Sequence, residues 1–181
     1  YVWIFGDDDL IVNDFLSELI THLKNNSPDI VILNSCSFQE QGQVEASRLV
    51  LESFKVYGPK DDDIFLADHG AYVTYVPCIV IRKNLWEKFF RREKIGTFFA
   101  HLDTVFRAKI GHTAHYLPNP AIKMRLHMQT WKAKHFEIWN IYFPEVIWKL
   151  DNYSSQAKQS VIQRYPLKSL TRILASRAYG R

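Results

Sequence analysis

Tyr1, Val2, Trp3, Ile4 and Phe5 form an unbroken run of β-formers that stops at Gly6 and gives way to three consecutive carboxylates, Asp7, Asp8 and Asp9. A strand this apolar belongs in an α/β sheet, where it delivers whatever follows to the carboxyl edge, the place at which open α/β folds bind ligands. Adjacent carboxylates repel one another unless a cation or a set of donors compensates them. Mg²⁺ and Mn²⁺ suit the task, because they take one or two carboxylates and leave the remaining positions to water and phosphate oxygens. The order strand, glycine, acids therefore predicts a site for a divalent cation carrying a diphosphate.

The chain has 181 residues, 47% of them hydrophobic, enough for one sizeable core. Its two cysteines, Cys36 and Cys78, lie far apart with no CxxC, which predicts buried thiols and no zinc site. The net charge of +4 is divided unevenly: eleven Lys and Arg against three acids from Ala121 onward give that part +8 and the rest −4. Such a basic end suits an anionic surface. No apolar stretch approaches the about 20 residues that cross a bilayer. Tyr1 opens in the middle of a core strand, which predicts that the chain begins partway through a domain.

Along the chain, Asn13 is a candidate cap for a helix from Asp14, with Phe15, Leu16, Leu19, Ile20 and Leu23 at helical spacing. Ile30 to Leu33 reads as a buried strand. Residues 36–60 read as a hairpin or irregular excursion with a short helix near Ala46 to Phe54. Asp61, Asp62 and Asp63 read as a helix N-terminus that complements the dipole. Val73 to Arg82 reads as a strand, Asn84 to Phe90 and Leu102 to Ile110 as helices, and Thr113–Leu117 and Ala121–Leu126 as two strands about the Pro118-Asn119-Pro120 turn. Gln129 onward is helical and rich in aromatics.

The stretches IFGDDDLI and HLDTVFRAKIGHTAHYLPNPAIKMRLH, the second from His101 to His127, resemble glycosyltransferase family 2, the inverting nucleotide-sugar transferases of GT-A fold, and within it the abequosyltransferase-like bacterial branch. The resemblance spans residues 1–127. It implies an α/β fold, a partial GT-A (Rossmann-like) mixed sheet flanked by helices, whose nucleotide-binding half would lie upstream of Tyr1. Residues 128–181 would form a helical, basic, aromatic-rich extension. The resemblance implies transfer of a single sugar, with inversion, from a nucleotide-diphosphate sugar to a glycan or lipid-linked acceptor in surface polysaccharide synthesis. Mn²⁺ or Mg²⁺ would be the cofactor, and no nucleic acid would be a partner. The location would be cytoplasmic, and the basic, aromatic C-terminal helices either make peripheral contact with the inner face of the membrane or pack against the catalytic core.

Carried over residue by residue, Asp7 and Asp8 would bind the nucleotide sugar, and Asp8 and Asp9 the metal. Asp9 also reads as a residue favouring the start of the helix. Arg125 and His127, two apart on a strand and so on one face, would stabilise the leaving diphosphate. The general base that takes the acceptor's proton is either Asp103, at an acidic position of the family pattern, or His101, which stands where the usual base would. Asp68, His69, Gly70 and Phe98 would line the acceptor side. Two rivals remain open. One is a non-catalytic carbohydrate- or membrane-binding module derived from a transferase. The other is a GDD-type nucleotidyltransferase, in which a second strand must follow the acidic turn and pair with the first.

Overall fold

The computed structural model describes residues 1–38, 44–47, 51–94, 98–125 and 134–179. In chain order its regular elements are β1 (Val2–Trp3), β2 (Leu10–Ile11), α1 (Phe15–Asn26), β3 (Ile30–Phe38), β4 (Val44–Ser47), β5 (Lys55–Tyr57), α2 (Asp62–His69), β6 (Ile79–Ile81), α3 (Lys83–Phe89), α4 (Ala100–Lys109), β7 (Ala114–Arg125), α5 (His135–Glu137), α6 (Phe143–Trp148), α7 (Ser155–Val161) and α8 (Leu170–Tyr179). A π-helical turn, Ile138–Tyr142, joins α5 to α6. The strands form one curled mixed sheet flanked by helices, as expected, in the order β1-β6-β3-β7-β2, with β4 added to β3 and β5 to β7.

β3 is the centre of the molecule. All nine of its residues are buried, and it pairs in parallel with β7 and antiparallel with β6. The apolar run Ile30–Leu33 marks only its first half; Asn34, Ser35 and Ser37 continue it at low exposure. These polar residues answer an irregularity across the way, because Pro118 and Pro120 sit in β7 and a proline has no N–H for the ladder. The register shifts on either side of Asn34, its Nδ2 donates to the Pro118 carbonyl at 2.8 Å, and the Tyr72 hydroxyl donates to the Leu33 carbonyl at 3.0 Å. Buried backbone groups thus keep partners. The Pro118–Pro120 stretch is accordingly an irregularity within one continuous strand and not a turn between two.

Three other expectations are corrected. The stretch from Val73 to Arg82 is mostly two 3-10 turns, Tyr72–Thr74 and Val76–Cys78, with Pro77 at a helical start, and only Ile79–Ile81 is strand. The hairpin after β3 is present as β4, but Ala46 belongs to that strand and residues 51–54 are not helical. Asn13 does not cap α1: Asp14 holds that position in the left-handed region at φ 63° without a side-chain cap.

α1 buries Phe15 and Leu19, and α4 buries Leu102, Val105 and Phe106. The residues beyond 134 share this core: Phe143, Ile147, Leu150, Tyr153, Ala157 and Ile162 join the same cluster, and the Tyr153 hydroxyl donates to the Phe106 carbonyl at 2.7 Å. The acids at α2 act as expected of a helix start. Asp61 accepts from the Gly58 N–H, and Asp62 pairs with the fully buried Lys109 at 2.7 Å. Cys36 and Cys78 are free and buried.

Candidate active site

β1 lies on β6 and β2 on β7, so the strands flanking the acidic segment stand at the two ends of the strand path and do not pair with each other. The paired strands that a GDD-type nucleotidyltransferase requires are therefore not formed by β1 and β2. Among the described residues β1 is an edge strand with one antiparallel neighbour and partly buried side chains, where the apolar run predicts a core strand. Ile4 to Asp9 cross four interstrand steps of about 4.8 Å, about 19 Å along a flat sheet, so the chain is drawn across the sheet's end. That end is the carboxyl end of β7: Asp9 Oδ1 accepts from the N–H of Arg125, the strand's last residue, at 3.3 Å.

Gly6 brings two of the acids together. A Cβ at this position would lie 2.9 Å from Asp8 Oδ1 and 3.0 Å from Asp9 Oδ2. Both carboxylates thus fold over the bare α-carbon into one small volume, their oxygens no more than about 6 Å apart, within the range at which like charges disturb each other's titration. Burial lifts the Asp9 carboxyl above its ordinary value, and the neighbouring charge of Asp8 adds to the shift; the Tyr75 hydroxyl, the Arg125 N–H and the Arg125 charge oppose it. Asp7 is exposed. The donor set fits Mg²⁺ or Mn²⁺: two converging carboxylates, with the remaining positions left to water and phosphate. Among the described residues no group of three or more His, Cys, Asp or Glu is gathered to hold a metal by protein ligands alone.

Beside the acids an open depression of about 370 Å³ is lined by Phe5, Gly6, Asp9, Thr74, Tyr75 and Pro77. Tyr75 is the residue that sequence reasoning missed. Its hydroxyl is buried beside Asp9, and burial together with that carboxylate's charge raises its pKa far beyond the usual phenol value. The signal was Pro77, which demotes a strand running through it and so makes room for a turn that aims Tyr75 at the acids.

The two candidate bases are both engaged. Asp103 is buried on α4 and accepts from Arg107 Nε at 2.9 Å, with Arg91 Nε at 3.9 Å from its other oxygen. His101 is buried two residues earlier, its Nε2 donating to the Val73 carbonyl at 3.1 Å, and burial drops its pKa to about 4. It is therefore neutral at pH 7, with its Nε2 proton given to the backbone just ahead of Thr74 and Tyr75. Arg125 reaches the site through its backbone, and its guanidinium carbon lies 5.8 Å from the centre of the Phe38 ring. His127 lies outside the described residues.

The residues expected on the acceptor side do not gather at the acids. Asp68 accepts from Lys55 Nζ at 2.6 Å and from the Tyr57 hydroxyl at 2.7 Å, and these bonds hold its carboxyl below the usual range despite its burial. His69 is fully buried, 2.8 Å from the Tyr57 oxygen, tilted against the Tyr116 ring and lowered to about 4 by burial. Tyr116 pairs with Ile32, whereas Lys123, opposite Leu10, pairs with Cys36. Four residues of β3, about 13 Å, separate these two levels of the sheet. Gly70 is where α7 packs: a Cβ there would meet Val161 Cγ2 at 2.5 Å. Phe98 is exposed, 5.8 Å from the Tyr142 ring and from Lys134 Nζ.

Among known proteins the chain is similar to abequosyltransferase RfbV of Salmonella typhimurium (strain LT2), with 28% identity over 138 residues. The match takes in 69% of this chain and spans 41% of the length of that enzyme. This is a distant relationship to a sugar transferase. No family model matches the chain.

Proposed function

We propose that this chain forms the metal-binding and acceptor-facing part of a glycosyltransferase of GT-A type, related to family 2. In this reading it takes a sugar from a nucleotide-diphosphate donor and passes it, with inversion, to a glycan or lipid-linked acceptor of surface polysaccharide. The observation that carries the reading is the convergence of Asp8 and Asp9 over Gly6 at the carboxyl end of β7. The distant likeness to an abequosyltransferase supports it. Asp8 and Asp9 would hold Mn²⁺ or Mg²⁺, which when bound supplies Lewis-acid neutralisation of the leaving diphosphate. The Arg125 N–H holds the Asp9 carboxylate, with the Tyr75 hydroxyl beside it.

A second reading, a non-catalytic binding module derived from a transferase, is favoured by the engagement of Asp103 with two arginines and of His101 with the Val73 carbonyl. Titration calorimetry separates the two. The transferase reading expects the chain to bind Mn²⁺ together with one of UDP, CDP, GDP or dTDP more tightly than either alone, and expects Asp8→Asn with Asp9→Asn to abolish that coupling. Equal binding of the pair by the double variant refutes it.

A further inference from the structure

We propose that the turn Tyr165–Lys168 and the helix α8 that follows it dock on the surface of an anionic phospholipid bilayer. The inference does not depend on what the acidic segment binds. From Lys149 to Arg181 the chain carries seven Lys and Arg against one acid, Asp151. Preceding helices spend their apolar side chains on the core: α6 buries Phe143 and Ile147, and α7 buries Ala157. α8 does not. Leu170 is 70% exposed and Leu174, one turn on along the same face, is 60% exposed.

The turn that leads into α8 continues this surface with Leu167 at 45% and Tyr165 at 56% exposure. The Tyr165 ring stands between two cations, with Lys168 Nζ 4.8 Å and the Arg164 guanidinium carbon 5.4 Å from its centre. Apolar side chains, an amphipathic ring and flanking basic groups are the composition of a helix that lies in the headgroup layer, with leucines toward the acyl chains and cations toward lipid phosphates. Ten residues of helix extend about 15 Å, half a bilayer core, and among the described residues no helix is long and apolar enough to cross a membrane. The orientation is therefore in the plane of the surface.

Charge decides between lipid and the other apolar occupant, a second copy of the chain. In a two-fold pairing this basic patch is laid on a second copy of itself, which brings net positive charge against net positive charge. An anionic lipid surface matches both the leucines and the charges.

The test is co-sedimentation of the full chain with vesicles. Phosphatidylethanolamine vesicles containing phosphatidylglycerol are expected to bind it, and pure phosphatidylcholine vesicles are not. High salt is expected to weaken the binding. Leu170→Gln with Leu174→Gln is expected to lower the partition coefficient roughly tenfold or more, since two leucines lose their burial in lipid. Arg164→Glu with Lys168→Glu, which leaves α8 untouched, is expected to remove the preference for phosphatidylglycerol. Circular dichroism checks that each variant keeps its fold. Absence of vesicle binding, equal binding to both lipids, unchanged partition by the leucine variant, or a self-associated mass that the leucine variant dissolves overturns the proposal.

Discussion

Gly6→Ala isolates the acidic pair from everything else in the molecule. The added methyl carbon would sit 2.9 Å from Asp8 Oδ1 and 3.0 Å from Asp9 Oδ2, where ordinary contact begins near 3.4 Å. Each carboxylate must therefore withdraw by about half an ångström, whereas a metal site tolerates about 0.2 Å in its ligand distances. The fold tolerates the change, because Gly6 is not in the left-handed region and the displaced atoms are side-chain tips. Moving two short side chains off their rotamers costs about 0.5–1.5 kcal/mol each at most, partly offset by the about 0.4–1 kcal/mol that an alanine gains over glycine in the unfolded chain. Urea denaturation should therefore place Gly6→Ala within about 1–2 kcal/mol of the parent, while Mn²⁺ affinity by calorimetry falls about tenfold, equivalent to about 1.4 kcal/mol. Gly111→Ala is the opposite control. Gly111 has φ +72° with nothing near its Cβ position, so alanine there should cost about 1 kcal/mol of stability and leave Mn²⁺ binding alone. If Gly6→Ala binds Mn²⁺ as the parent does, the two carboxylates do not share a cation.

Two further outcomes concern the core. Asp62→Ala takes the carboxylate from the fully buried ammonium of Lys109, which keeps its bond to the Gly58 carbonyl, and should cost about 3 kcal/mol in urea denaturation, near the lower bound for breaking a buried pair; adding Lys109→Met should restore much of the loss, and a double variant no more stable than Asp62→Ala contradicts this account. His69 and His101 both have folded pKa values pushed down to about 4 by burial, against about 6.5 unfolded. The unfolded chain therefore binds more protons between these limits, so stability should climb from pH 4 to pH 6.5 by up to about 3 kcal/mol per histidine and level off above; a stability that is flat across that window refutes the burial of both.

What could be read from residue order was local, and what could not was set by contacts far along the chain. The strand-glycine-acid order was legible because the apolar run and the carboxylates are contiguous, and the α2 acids because helix dipoles act within one turn. The length of β3 was not, because Asn34, Ser35 and Ser37 look like loop residues until the Pro118 carbonyl and the Tyr72 hydroxyl are brought opposite them. Asp68, His69 and Gly70 come to the acceptor side through the resemblance, and their contacts with Lys55, Tyr57 and Val161 depend on the packing of α2 on β5 and α7, which residue order does not display. Gly6 carried the opposite lesson. It read as a break after a strand, and only the positions of the Asp8 and Asp9 side chains show that its missing Cβ is the space in which the acids meet.

His101 and Asp103 stand two residues apart on α4, and their contacts give them different work. The imidazole of His101 holds the Val73 carbonyl, and the turn it steadies carries Tyr75 against Asp9; it is a positioning residue for the acids. The carboxylate of Asp103 pairs with Arg107 at 2.9 Å and stands 3.9 Å from Arg91. His101→Phe keeps the volume of the ring and removes the bond, so it should loosen Tyr75 and weaken Mn²⁺ binding several-fold at equal protein concentration. Asp103→Asn should leave Mn²⁺ affinity unchanged while lowering stability by about 1–3 kcal/mol, the cost of depriving hydrogen-bonded charges of a buried partner. A reversed pattern, with Mn²⁺ affinity sensitive at Asp103 and indifferent at His101, would mean that the carboxylate turns toward the acidic segment and that the 73–75 turn holds Tyr75 without the imidazole.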